Sequence, residues 1–144
     1  MESIKISLRE LSNLVKNGQG VCIKTDKGFY PLKVFHDNGR KLTRRVTTFR
    51  HQTVLATEEH KFYNEKGQHI FVSDLKEGDK ILTETGVEQV STLDENLSLS
   101  DVADLEIDHP DHRFYANGIL VSNCSSQQEI SHLSSKNKHI ARVS

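Results

Sequence analysis

The sequence predicts a mostly β domain with one short helix near its N-terminus. Three observations carry this expectation. Strand-length runs of β-branched and aromatic residues recur from Gly20 to about Leu93. Turn signals built on Gly, Asn and Asp separate them at short intervals. Helical periodicity occurs once, at Leu8, Leu11, Leu14 and Val15. Many short strands with frequent turns and little helix describe a compact β architecture.

The elements follow in order. Ile4 and Ile6 alternate like the end of a strand. Ser7 and Glu10 have the spacing of a capping box, and Gly18 and Gly20 stop the periodic run, so a helix is expected from Leu8 to Asn17. Residues 21–25 and 29–35 read as a hairpin around Asp26-Lys27-Gly28. A second turn is expected at His36-Asp37-Asn38-Gly39, because Asn-Gly suits a tight hairpin. Strands are expected at 41–49 and 52–57, and a turn at Asn64–Gly67 precedes Ile70-Phe71-Val72. Further turns fall at Glu77-Gly78-Asp79 and Thr85-Gly86. Asp94 to Ser100 reads as a polar loop, Val102 to Ile107 as a strand, and Asp108 to Asp111 as a turn. Two short strands, His112–Tyr115 and Ile119–Val121, flank Asn117-Gly118. Ser125 to Ser144 is polar and reads as a flexible tail.

The composition bounds the function. A chain of 144 residues suits one domain, and a formal net charge of −1 argues against wholesale binding of nucleic acid or anionic membrane. No apolar run reaches membrane-spanning length. Met1-Glu2-Ser3-Ile4 lacks the basic and apolar regions of a secretory signal, so a cytoplasmic location is expected. The two cysteines, Cys22 and Cys124, form no Cys-x-x-Cys pair, and no structural zinc site is expected.

Asn123-Cys124 ends an apolar strand with a thiol beside a carboxamide. The Asn side-chain nitrogen lies at five-ring distance from its own carbonyl, so cyclisation would cleave the bond after Asn123 if the backbone were held correctly. Taken alone, such a pair is most often only a turn. Thr57-x-x-His60 places a hydroxyl and an imidazole where they can converge on one amide, His60 as proton donor to a leaving nitrogen and Thr57 holding the backbone or an oxyanion. A surface histidine is the ordinary alternative. Asp104 sits among apolar neighbours, where a carboxylate is costly unless partnered. Asp111-His112 precedes the Asn117-Gly118 turn, which would fold His112 back toward the Asn123-Cys124 bond. Arg40, Lys41, Arg44, Arg45 and Arg50 read as a solvated strand face, as do Glu58 and Glu59.

Thr57-x-x-His60, the segment Leu75 to Ile81, Asp104, and the block Asp111 to Cys124 together resemble an intein in order and approximate spacing, from about Ile4 to Asn123. The resemblance implies the Hint fold, a β-rich horseshoe, and autocatalytic protein splicing. Asn123 would be the last intein residue and Cys124 the first residue of the downstream extein. Thr57 and His60 would activate the upstream junction, and His112 and Asp104 would assist later steps, with Asp111 and Ser122 supporting. Ser122 stands where many inteins have His, which moves the burden of assisting cyclisation to His112. Inteins begin with Cys or Ser followed by a short β segment containing Asp-Thr, and neither is found here.

The resemblance therefore implies the C-terminal fragment of an atypically split intein. Residues 1–123 would be a Hint domain lacking its first block, and 124–144 extein. A short N-terminal fragment carrying its own extein would be the partner and would complete the fold. Splicing of this kind needs no cofactor or metal. Hint-type autoprocessing without ligation, or a degenerate Hint binding module, are the alternatives.

Overall fold

The computed structural model describes residues 4–6, 8–122 and 138–143. Among them are β1 (Ile4–Ile6), α1 (Leu8–Lys16), β2 (Gly20–Thr25), β3 (Gly28–Thr48), β4 (Thr53–Ala56), β5 (Lys61–Tyr63) and β6 (His69–Phe71). A 3-10 turn over Val72–Asp74 follows. Then come β7 (Lys80–Thr83), β8 (Gly86–Leu93), β9 (Ser98–Ile107), β10 (Arg113–Ala116), β11 (Ile119–Ser122) and β12 (Lys138–Val143). The expected mostly β fold with one helix is what forms.

The helix is amphipathic and short. Leu11 is fully buried, and Leu8, Leu14 and Val15 pack against the same core. At 9 residues α1 would be marginal alone, so this packing is what holds it. It stops in a Schellman motif: Gln19 N–H donates to Leu14 O and Gly18 N–H to Val15 O, both at 3.0 Å, with Gly18 at φ 78°. Ser7, the other half of the expected capping box, lies outside the described residues.

The strands form one sheet with the path β1-β12-β2-β3-β8-β7-β11-β5-β6. β10 pairs with β11 and β12, while β4 and β9 pair with β3. The 21-residue β3 is the spine. It pairs with β2 at its start, with β9 along its middle, and with β4 and β8 at its end.

The turn expected at His36–Gly39 is instead a bulge within β3. The register against β9 shifts between Asp37 and Arg40, Gly39 takes φ 73°, and Gly39 N–H donates to Asp37 Oδ1 at 2.8 Å. An aspartate contact and a left-handed glycine serve a bulge as well as a hairpin. The long β9 partner, pairing on both sides of it, selects the bulge. β9 also begins earlier than expected, at Ser98, where the Thr43 hydroxyl donates to Ser98 O at 3.1 Å. Ser98 and Leu99 are exposed, so no alternation marked them.

Two hairpins share one latch. Thr25 Oγ1 donates to Gly28 O, and Thr83 Oγ1 to Gly86 O, each at 2.8 Å. Both threonines are buried, and these bonds satisfy their hydroxyls. Lys24 beside one latch and Glu84 beside the other form an ion pair at 3.2 Å. Phe62, Ile23, Ile81, Val46, Val90 and Ile119, all fully enclosed, fill the core between them. No described helix is long and apolar enough to cross a membrane.

Candidate functional site

A cavity of about 740 Å³ opens between β4, β9 and the β10–β11 hairpin. Thr57, His60 and Asp104 all border it. Each arrives from a different element. Thr57 follows the last residue of β4, and a tight turn in which His60 N–H donates to Thr57 O at 3.0 Å brings His60 beside it. Asp104 comes from β9, opposite His36 of β3. Val102, Leu105, Phe114 and Val121 supply apolar wall, and Lys41 and Arg45 supply positive charge.

The electrostatics follow from this enclosure. Burial pushes the His60 imidazole below its ordinary 6.5, and the Asp104 carboxylate opposes the shift by favouring the imidazolium. Asp104 does not stand alone, since Asn38 Nδ2 donates to its Oδ2 at 2.7 Å. His36 Nδ1, on the strand facing Asp104, is buried without a hydrogen-bond partner among the described residues.

The other expected site residues lie at the hairpin that leads away from the cavity. β10 and β11 pair through Ala116↔Ile119 to Arg113↔Ser122, so the described ladder ends with Ser122 opposite Arg113. His112 sits immediately before Arg113, exposed, with φ 50° and its N–H donating to His109 O at 3.1 Å. Asp111 is exposed, 3.7 Å from His109 Nδ1 and 4.0 Å from Arg113 Nη2. Neither His112, Asp111 nor Ser122 borders the cavity. Asn123 and Cys124 lie outside the described residues. Arg113 anchors the hairpin end: its Nε donates to Asp26 Oδ1 at 3.1 Å, its Nη2 to Asp26 Oδ2, and its guanidinium lies 5.2 Å from the Tyr63 ring centroid.

The structure thus groups Thr57, His60 and Asp104 and sets His112, Asp111 and Ser122 at a second locus. Sequence reasoning missed Asn38, Lys41 and Arg45. Asn38 was visible only as part of an Asn-Gly pair, and nothing local connects it to a carboxylate 66 positions away. The basic stretch is partly committed to ion pairs: Arg44 with Glu58 at 2.6 Å, Arg50 with Glu88 at 3.5 Å and Arg40 with Asp101 at 3.9 Å. Glu58 is therefore engaged rather than simply solvated. Among the described residues no cluster of three or more His, Cys, Asp or Glu side chains is arranged to hold a metal ion.

No protein-family profile matches the chain, and no curated protein matches it. Solved structures do. The chain is similar to a crystal structure of the VidaL intein in its selenomethionine form, with TM-score 0.77 and 25% identity over 83% of this chain and 81% of that one. A crystal structure of the gp41-1 intein gives TM-score 0.61 and 25% identity over 69% and 77%. The solution structure of the DnaX mini intein from Spirulina platensis gives TM-score 0.59 and 26% identity over 74% and 84%. The open, mostly β sheet with one short helix is the Hint fold these structures share.

Proposed function

We propose that this chain, an intein Hint domain, performs protein splicing in trans with a separate N-terminal fragment. Its intein relatives support protein splicing in general. The observation that carries the finer reading is the cavity of about 740 Å³ bordered by Thr57, His60 and Asp104, which has room for a segment bearing a nucleophile.

The partner's first residue, Cys or Ser, attacks the carbonyl before it and replaces the amide by a thioester or ester. His60, held neutral by burial, takes the nucleophile's proton and passes it to the departing amide nitrogen. Thr57 holds the backbone or the oxyanion that develops there. Asp104, fixed by Asn38, stabilises the imidazolium that forms in passing. Cys124, as thiolate, then attacks the acyl carbon, and the partner's nucleophile leaves. The Asn123 side-chain nitrogen attacks its own carbonyl, the 123–124 bond breaks, and a succinimide remains on the intein. The freed amine of Cys124 takes back the acyl group from sulfur to give an ordinary amide. His112, one residue before the Arg113↔Ser122 pair that ends the described ladder, acts as acid or base for this cyclisation. Each molecule reacts once.

The test is denaturing mass spectrometry after mixing the chain with Cys-initiated intein fragments that carry a marked extein. A joined extein of the expected mass supports ligation. Loss of the tail without a joined product would point to autoprocessing alone. Asn123→Ala should abolish release of the tail, and Cys124→Ala should abolish joining while permitting cleavage. Free tail from Asn123→Ala would overturn the cyclisation step.

A further inference from the structure

β1 and β2 are consecutive strands joined by α1, and β12 pairs parallel to both of them. They nevertheless do not pair with each other. β12 lies between, with Ile4↔Ala141 to Ile6↔Val143 on one side and Lys138↔Gly20 to Ala141↔Ile23 on the other. At about 4.8 Å per strand spacing, the gap between β1 and β2 is one strand wide. Left empty, it would expose two facing rows of unpaired N–H and C=O groups. Neither edge carries a proline, and Val21 and Ile23 of β2 are buried in the core. The fold therefore requires a strand here.

The present occupant belongs to the stretch beyond Asn123-Cys124, which the splicing reading above assigns to the extein. An extein is cargo, and splicing would carry it away. The slot also leads to the cavity: Val143 pairs with Ala116 of β10, and Ala116 borders the cavity with Thr57 and His60. We infer that the slot between β1 and β2 is the docking site for an extended strand of the partner fragment, and that Lys138–Val143 holds it as an intramolecular stand-in until displaced. This rests on the splicing reading only for the identity of the incoming strand.

Direction follows from the chemistry. The partner's nucleophile is at its N-terminus and must reach the cavity, so its strand enters with that end near Ala116. It then runs opposite to β12 and antiparallel to β1 and β2. Antiparallel ladders are slightly more stable per residue than parallel ones, which favours the exchange. The ladder is made by backbone groups, so one slot accepts two unrelated sequences. A tethered stand-in competes at an effective concentration in the millimolar range, so it slows the partner without excluding it.

The test is amide hydrogen exchange on the full chain and on Ile140→Pro/Ala141→Pro. Adjacent strand residues direct their backbone groups to opposite neighbours, so the pair of prolines removes bonds toward both β1 and β2. Exchange at Val21–Ile23 should quicken at least tenfold while the β3–β9 amides stay protected as the folding control. Ala141→Pro alone, a milder change, should give a smaller increase at the same amides. A synthetic peptide of Lys138–Ser144 added in excess to the double variant should restore protection. Unchanged exchange in both variants, or no restoration by the peptide, overturns the slot. In the splicing assay, a Cys-initiated fragment that yields joined product should do so at least severalfold sooner with the double variant, and equal or slower joining overturns displacement. The exchange readout involves no bond cleavage. A chain that never splices would sink the splicing reading while leaving the slot to be judged by exchange.

Discussion

Asn38 and Asp104, 66 positions apart, meet at 2.7 Å where the β3 bulge faces β9. The bulge turns an exposed hairpin signal into a support for a carboxylate on the cavity wall. A hydrogen bond to a charged acceptor is worth roughly 1.5–3 kcal/mol when well enclosed, and this one is only partly buried. Asn38→Ala should therefore cost about 1 kcal/mol in urea unfolding. Asn38→Asp should cost more, since it sets two carboxylates in contact.

His60 gives a pH dependence whose sign is fixed. Its folded value lies below 6.5 because burial disfavours the imidazolium. The unfolded chain then binds more protons in the window below 6.5, so this contribution to stability is complete above 6.5 and is lost as pH falls toward the folded value. His60→Gln should flatten the dependence of unfolding free energy on pH across that window. Asp104→Asn should lower the His60 value further, read by NMR titration of the ring protons. A rise on losing Asp104 would contradict the arrangement.

Arg113 ties β10 to the β2–β3 hairpin through a forked bond to Asp26, with side chains only 23% and 20% exposed. The Asp26 bond is the leading reason the guanidinium is held above its ordinary range. Arg113→Ala should destabilise by about 2 kcal/mol in chemical denaturation. Arg113→Lys should recover only part, because an ammonium cannot reproduce the fork. If splicing occurs, both should slow release of the tail, since the β10–β11 hairpin leads to Asn123.

Asn117 and Gly118 form a two-residue turn with φ 47° and 86°, the positive pair that a type I′ hairpin requires. A Cβ on Gly118 would lie 3.2 Å from Glu84 Oε1 and 3.3 Å from Gln52 Cγ. Gly118→Ala should cost about 1–2 kcal/mol, combining left-handed strain with crowding. Asn117→Gly should be far milder in backbone terms, although it loses the bond to Thr53 O.

Local chemistry made much of the fold legible. The α1 period, the Asp26-Lys27-Gly28 and Thr85-Gly86 hairpins and the Asn117-Gly118 turn are each decided within a few residues, and each formed where expected. The Asn38-Gly39 pair misled because hairpin and bulge use the same backbone states, and only β9, distant in sequence, chooses between them. Ser98-Leu99 and Lys138–Val143 carry little strand signal because their pairing comes from edges supplied by other strands. At the site, Thr57 and His60 were readable as a spaced pair. Their nearness to Asp104 depends on β4 and β9 both lying along β3, a relation written in no local pattern.

The β1–β12–β2 ladder has a practical corollary. A polypeptide nicked anywhere between Ser122 and Lys138 would keep its severed end woven between two strands of the larger piece. Gel filtration and native electrophoresis would report one particle of unchanged size. The break would become visible only once the sheet is melted. Cutting this chain and parting its pieces would thus be distinct events, each with its own rate.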